Sequence, residues 1–433
     1  MPRIVFVASH LGYPIETTPL GGGAAVGYRL AQQWAHAGAE IIVLGSGSKP
    51  VPGVRYVQLP PGAADPDLVR LSEQGYASFC RVFEAATTEH ILKTYDPKDT
   101  VLVCNDVAEG PDFERLSSHG FPIASLWHVD VVEFFNRVYL RGIVRPERLT
   151  KLFSRLSSRL LPEILRIVFD KQRRAVHHSD LMVVPSRQMA DSLKRCYPEL
   201  SLEGRILVHP WGGWDSGVPE AQAAEEAERL KQHYQLKPES RVLMTMSRIS
   251  PEKGIHLLLD ALRMLEGSSL FDAVDVCLFI CGEPAFMRGE TYARRVRRAA
   301  ERLHRFRVFF PGHLSPAEKQ AYFRLAQLFV SPSIHESYGL TLVEAMRAGL
   351  PILASDHYGV DETVRPEYGR TVSYAGGTSL RAPRLASALE ELLAAPGELA
   401  KMGARAAEAA KGMSFDESAR LLRAAVLKLL DTR

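Results

Sequence analysis

Short runs of apolar residues alternate along the chain with longer stretches in which apolar positions recur every three or four residues. In the first half the runs are Ile4–Ala8, IIVLG from Ile41, Val101–Asn105, Pro122–His128, Leu181–Ser186 and Ile206–Pro210. Helical patterns lie over Ala24–Ala37 and before Ser179. Strand, helix and strand at this spacing predict parallel βαβ units, and their succession predicts one doubly wound domain. WGGWDSGVP at Trp211–Pro219, rich in Gly and aromatic residues and followed by a polar helix, reads as a boundary. A second alternation follows: Arg241–Arg248, a helix over Gly254–Leu265, Val276–Gly282, a basic helix over Tyr292–Leu303, Arg307–Gly312, Leu328–Ser333 and Pro351–Ser355. The Ala-rich tail over Leu385–Leu430 is helical by propensity, with a break near Gly412–Ser414. The expected class is α/β, two Rossmann-like doubly wound domains over residues 1–212 and 213–412, then a helix over 413–433. Two such domains facing one another hold a ligand at the carboxyl ends of their strands, so a cleft between them is the expected site.

A length of 433 residues exceeds one ordinary core and agrees with two. Apolar residues make up 46% and charged residues 24%, with no uncharged apolar segment long enough to cross a bilayer, so a soluble chain is expected. A net charge of +3 gives no reason to invoke nucleic acid. Five cysteines in no zinc or C-x-x-C pattern suit a reducing cytoplasm. MPRIVFVASH reads as a first strand rather than a secretory signal.

The most informative stretch is HESYGLTLVEAMRAGLPILAS, His335–Ser355, which follows a strand and opens a helix. Glu336 stands in the turn and Glu344 eight positions on, roughly 12 Å along a helix axis at about 1.5 Å per residue. Between them the first helical turn offers backbone N–H groups from Ser337, Tyr338, Gly339 and Leu340, and Gly339 permits close approach. A helix start of this kind attracts a pyrophosphate, and an acid on either side can take hydroxyls, so a sugar-diphosphate-ribose fits. A solvated turn residue and an ordinary helical acid paired with Arg347 is the plainer alternative. Upstream, SRISPEKGIHLLLDAL places Arg248 at a strand end and Lys253 five residues on, two cations that can neutralise a departing diphosphate as Mg²⁺ does elsewhere.

SPSIHESYGLTLVEAMRAGLP resembles the signature of the GT-B fold retaining glycosyltransferase family 4, whose two glutamates have seven residues between them within P-S-x-x-E-x-x-G-L-x-x-x-E-A-M-x-x-G-x-P. The resemblance implies that Glu336 meets the donor sugar, that the amides of Tyr338, Gly339 and Leu340 hold the distal phosphate, and that Glu344 holds the ribose diol. Arg248 and Lys253 match the family's R-x-x-x-x-K-G element, whose basic pair clamps the diphosphate. Gly21–Gly23 resemble its amino-terminal donor and acceptor loop, and Gly22 and Gly23 carry that expectation. About a dozen residues separate them from the first strand, which disfavours the dinucleotide fingerprint. His128 matches the family's active-site histidine near the sugar. Asp130, two residues on, is a candidate acceptor-binding group, and with no third ligand in view no metal is expected. Gly282 ends a strand where a backbone can pass close to the base or phosphate, and the turn of Gly312, His313 and Leu314 corresponds to the loop that in the family holds the base through its main chain, so UDP, GDP and ADP all remain open. WGGWD departs from the family's N-G-V-D linker.

The implied function is retaining transfer of a sugar from a nucleotide-diphospho-sugar to a hydroxyl acceptor, in the cytoplasm, without metal or other cofactor. A GT-B sugar-nucleotide epimerase and a non-catalytic nucleotide-sugar-binding protein are the rivals. The carboxy-terminal helix is expected to pack back on the first domain. Over residues 148–174, Leu149, Leu152, Phe153, Leu156, Leu160, Ile164, Leu165 and Val168 alternate with basic residues. Helices packed on the first sheet explain this pattern better than an interfacial helix in peripheral contact with a membrane, because Pro162 splits the run and Glu163 and Asp170 dilute its charge.

Overall fold

The computed structural model describes residues 2–14, 18, 20–61, 68, 71–155, 162–272, 274–285 and 289–431. The chain forms two compact units, Met1–Pro210 with Asp416–Arg433, and Trp211–Phe415.

The first unit carries strands β1 Arg3–Val7, β2 Glu40–Gly45, β3 Arg55–Gln58, β4 Thr100–Cys104, β5 Ile123–Leu126, β6 Leu181–Val184 and β7 Ile206–Val208. They pair in parallel in the order β3-β2-β1-β4-β5-β6-β7. Central strands such as RIVFV and TVLVC are nearly continuous apolar runs because helices cover both faces of the sheet. The edge strand β3, RYVQ, is only half-buried. The helix Phe415–Asp431 belongs to this unit: Trp34 Nε1 donates to the carbonyl of Ala419 at 2.9 Å, and Ser418 Oγ lies 2.7 Å from His209 Nε2.

Of the 148–174 segment, Leu156 and Leu160 lie outside the described residues. The rest turns its apolar side inward. Leu149, Val168 and Phe169 join a cluster with Ala108, Val131 and Val132, and Phe153 stacks on Phe169 with centroids 3.8 Å apart. Arg166–Lys171 winds as a π-turn, a departure from the helical spacing read in the sequence. It brings Lys171 to the carbonyls of Gly110 and Pro111 at 2.6 and 2.8 Å and to Glu84 at 2.7 Å. Packing on the first unit thus explains most of this pattern; Leu152 stays exposed. Among the described residues no helix is long and apolar enough to cross a membrane.

The second unit carries β8 Arg241–Met246, β9 Val276–Cys281, β10 Phe306–Gly312, β11 Leu328–Ser331, β12 Ile352–Ser355 and β13 Gly369–Val372. Their order is β10-β9-β8-β11-β12-β13, again with parallel pairing throughout. Alternate side chains feed two cores. Leu243, Leu278 and Ile280 pack with helices Ile255–Leu265, Gly289–Ala300 and Arg381–Leu393. Val242, Met244 and Phe279 pack with helices Glu220–His233, Pro316–Leu325, Leu340–Arg347 and Pro396–Lys411. In each sheet the chain runs outward from one central strand and then returns to that strand's other side, so β1/β4 and β8/β11 are topological switch points. Crevices that hold ligands in open α/β sheets form there, outside the carboxyl ends of the strands.

The unexpected linker WGGWD has a packing reason. A Cβ on Gly212 would fall 2.1 Å from the backbone of Ser414, and Gly213 N donates to the carbonyl of Met413 at 2.9 Å. Two passes of backbone lie side by side here, and side chains would part them.

Candidate functional site

At the β8/β11 switch point the second unit assembles most of the residues singled out in its sequence. After β8 the chain passes Arg248 and makes a tight turn, Pro251–Lys253, ended by Gly254 in the left-handed region at φ 63°. A Cβ on Gly254 would lie 2.0 Å from the carbonyl oxygen of Pro332. Glycine therefore lets this turn seat against the loop that follows β11. The carbonyl of Glu252 accepts from the amides of Ile334 and His335 at 2.7 and 3.2 Å, which fixes the two loops together.

That seating brings the Lys253 ammonium into a short contact with Glu336, with 12% and 24% of the two side chains exposed. Burial alone would push the Glu336 carboxyl up. The adjacent Lys253 charge, with hydrogen bonding and His357, overrides burial and holds it at about 2. Glu336 is thus a fixed anion. Arg248 is half-buried, its guanidinium 3.7 Å from Glu252.

Beyond Glu336 the chain turns into the helix Leu340–Arg347, with Gly339 at φ 91° as its amino-terminal cap. The Leu342 amide donates to the Gly339 carbonyl at 2.9 Å; the amides that open a helix have no acceptor one turn back within it, which suits them to an anion. Ser337 is buried; the Tyr338 ring is also buried and its hydroxyl donates to the carbonyl of Trp211 at 2.6 Å, so its side chain is committed to packing and only its backbone faces this role. Glu344 does not pair with Arg347 as its plainer sequence reading had it. Lys319, on the neighbouring helix, meets it at 2.7 Å, a partner invisible in sequence at 25 residues' separation.

Gly282 and Gly312 are tied to each other, the amide of the first donating to the carbonyl of the second at 2.7 Å. The close approach expected at Gly282 comes from the chain itself: a Cβ there would lie 2.0 Å from the carbonyl oxygen of Ser247. His313 is exposed and Leu314 half-buried in this turn. A groove of about 560 Å³, lined by Arg294, Arg295, Arg298 and Arg302 with Asp260, includes none of the site residues.

The first unit makes its own constellation at β1/β4. Gly21, at φ 98°, caps the helix Gly22–His36, which begins two residues earlier than its sequence pattern indicates. A Cβ on Gly23 would lie 2.9 Å from the ring of His128, so glycine here makes room for that histidine. Asn105, at the end of β4, donates to the Gly23 carbonyl at 3.1 Å and lies 3.2 Å from His128 Nε2. Burial, with the nearby His10, lowers the His128 pKa to about 4 and keeps the ring neutral.

Asp130, expected as an acceptor-binding group, is instead a structural residue. It is fully buried, caps the helix Val131–Tyr139 through the Glu133 amide at 3.2 Å, and takes further hydrogen bonds from Gln172 at 3.2 Å and Ser192 at 3.1 Å. A helix cap this well satisfied has no oxygen to offer an acceptor.

The sequence reading passed over Asn105 and an acidic cluster beside it. Glu109 accepts from Ser9 Oγ at 2.8 Å, takes the Tyr76 hydroxyl in a short contact, and lies 3.3 Å from His10. Burial raises the carboxyl pKa values of both Asp106 and Glu109, and the charge of Glu109 raises Asp106 further.

Residues 226–411, which hold this second-unit site, match the family model for glycosyl transferases group 1. The second unit belongs to that family. The chain also has named relatives. The chain is 33% identical over 187 residues to a lipopolysaccharide 1,2-N-acetylglucosaminetransferase of Salmonella typhimurium, covering 42% of this chain and 46% of that protein. It is 30% identical over 247 residues to an alpha-maltose-1-phosphate synthase of Mycolicibacterium smegmatis, covering 54% and 58%. The chain thus spans about half the length of the curated relatives it matches. Sucrose-phosphate synthase from Thermosynechococcus elongatus superposes with a TM-score of 0.76 at 19% identity, over 100% of both chains. That likeness shows the fold, two Rossmann-like units of the GT-B class, for the group 1 unit and its companion alike.

Proposed function

We propose that the protein is a glycosyltransferase that moves a sugar, with retention of configuration, from a nucleotide-diphospho-sugar to a hydroxyl acceptor, in the cytoplasm and without a metal. The observation that carries this reading is the Lys253–Glu336 pair at the β8/β11 switch point, beside an open helix start. The named relatives, which transfer or join sugars, support the same class.

Each group has a task that follows from its charge. Lys253 and Arg248 offset the charge that grows on the leaving diphosphate, together with the amides of Tyr338, Gly339 and Leu340. Glu336, ionised at any physiological pH, accepts from hydroxyls of the sugar, and Glu344 accepts from the ribose. Gly282, Gly312, His313 and Leu314 border the base, read through the main chain. The C1–oxygen bond to the diphosphate breaks as the C1–oxygen bond to the acceptor forms on the same face, and the acceptor's proton passes to the departing diphosphate. No protein base is needed, which agrees with the weak basicity of His128, its pKa lowered to about 4, and with Glu336 being paired. Gly22 and Gly23 are assigned to the donor and His128 to the reacting centre, with Asn105 as a further group to test.

Thermal shift of the full chain against UDP-, GDP- and ADP-sugars, with and without EDTA, tests the reading. Stabilisation by one diphospho-sugar, unchanged by the chelator, is expected. Stabilisation by NAD or a free sugar alone would sink it.

A further inference from the structure

The loop after β12 presents a histidine that the proposed function leaves unused. His357 is 5% exposed, and among the described residues neither of its ring nitrogens has a hydrogen-bond partner. Two orphaned nitrogens on one buried ring are costly and call for a reason. Holding the loop is not that reason, because its backbone and the neighbouring aspartate already do so. The amide of Asp356 donates to Val372 at 3.0 Å, and its carboxylate takes Ser373 Oγ at 2.6 Å and the Tyr374 amide at 2.8 Å. The carbonyl of His357 accepts from Val360 at 3.1 Å.

The same loop lies directly on the turn that carries Glu336. A Cβ on Gly359 would fall 2.1 Å from the Cα of Tyr338, and the rings of Tyr358 and His335 meet edge to face at 6.0 Å. His357 is close enough for its charge to be felt by Glu336, and for those of Glu336 and Lys253 to be felt by it. Burial nonetheless lowers its pKa to about 4, so the ring is neutral.

We propose that His357 hydrogen-bonds hydroxyls of the donor's sugar and so helps to set which sugar the site accepts. A neutral imidazole has one donor and one acceptor, the complement of a hydroxyl, which can serve as either. A diphosphate asks instead for cations and amides, which Arg248, Lys253 and the helix start provide. The ring therefore suits the glycosyl half of the ligand and not the nucleotide half.

This inference rests on the nucleotide-sugar reading, and calorimetric titration separates the two. Whichever of UDP-glucose, GDP-mannose and ADP-glucose binds the wild-type chain is compared with its own nucleoside diphosphate, against His357→Leu and His357→Gln. His357→Leu should weaken the nucleotide-sugar roughly tenfold, as loss of a buried hydrogen bond does, and leave the nucleoside diphosphate unchanged. His357→Gln should recover part of the loss. An unchanged nucleotide-sugar affinity, or an equal loss for both ligands in both variants, overturns the role of His357 and leaves the functional reading standing. Wild-type protein that binds none of the three sugars yet binds NAD overturns both.

Discussion

Each unit buries carboxylates at the switch point of its sheet, and the two sets are driven in opposite directions. In the second unit Glu336 is held at about 2; in the first, Asp106 and Glu109 are raised above their ordinary values. Burial pushes upward in all three, so burial is not what distinguishes them. The difference is a cation. Opposite unit charges about 4 Å apart gain about 4 kcal/mol at an effective dielectric near 20, enough to reverse a desolvation shift. Lys253 supplies this for Glu336, whereas the buried Lys171 of the first unit is committed to Glu84 and two carbonyls. In the second unit the carboxylate is thus kept ionised beside its lysine, whereas in the first burial outweighs the nearby His10 and the acids favour their protons.

The sharpest way to break this comparison is to remove the cation. Lys253→Ala strips Glu336 of its counter-charge and, on the proposed function, the diphosphate of a clamp, and Glu336→Ala removes the other half. Each should lower turnover by roughly a hundredfold or more, measured as steady-state kcat with saturating donor. The double variant should fall little further than either single one, since the two act as a unit. Wild-type turnover in both single variants would refute the charge-based account of the second unit.

A smaller effect sharpens it. Glu344 also has a lysine, Lys319, yet lies on the proposed ribose side, away from bond breaking. Glu344→Gln should raise the KM for donor roughly tenfold with kcat nearly unchanged, the mark of binding equal in ground and transition states. A fall in kcat with KM unmoved would place Glu344 at the reacting centre instead.

How much of this could be read from the chain depends on whether the signal was local. The central strands and the Glu336–Glu344 helix were legible because a buried strand is an apolar run and a helix start has its own turn chemistry. The edge strands β3 and β13 were not, since RYVQ and GRTV expose polar residues and have no such run. Lys253 and Glu336 were each legible from a motif. Their contact, across 83 residues, depends on Gly254 fitting beneath Pro332. Lys319, Asn105, Tyr76 and Glu109 carry no motif, and only the sheet order brings them to their partners; His357 carries none either, and only the fold places it beside the Glu336 turn. Asp130 misled because a carboxylate two residues past a strand end reads alike whether it caps a helix or faces a ligand.

The first unit's half of the comparison is tested by pH and stability, with the smallest expected effect. A carboxyl whose pKa is raised on folding keeps its proton in the native state after the unfolded chain has lost it. Native stability is therefore fully present below the ordinary value near 3.8 and is lost as pH rises through the folded value. Asp106→Asn cannot ionise and retains an oxygen that can accept from the Ala108 amide, which Asp106 takes at 3.1 Å. At pH 8 the variant should melt roughly 2–4 °C above wild type, the shift that about 1 kcal/mol produces in a unit of this size, and near pH 4 the gap should close. Glu336 predicts the reverse: its contribution is present above its ordinary 4.5 and is lost as pH falls toward 2, so Glu336→Gln should cost stability at neutral pH and progressively less in acid. Calorimetry of both variants across pH 3–8 would show two difference curves of opposite slope. Parallel curves would mean that the cation is not what separates the two switch points.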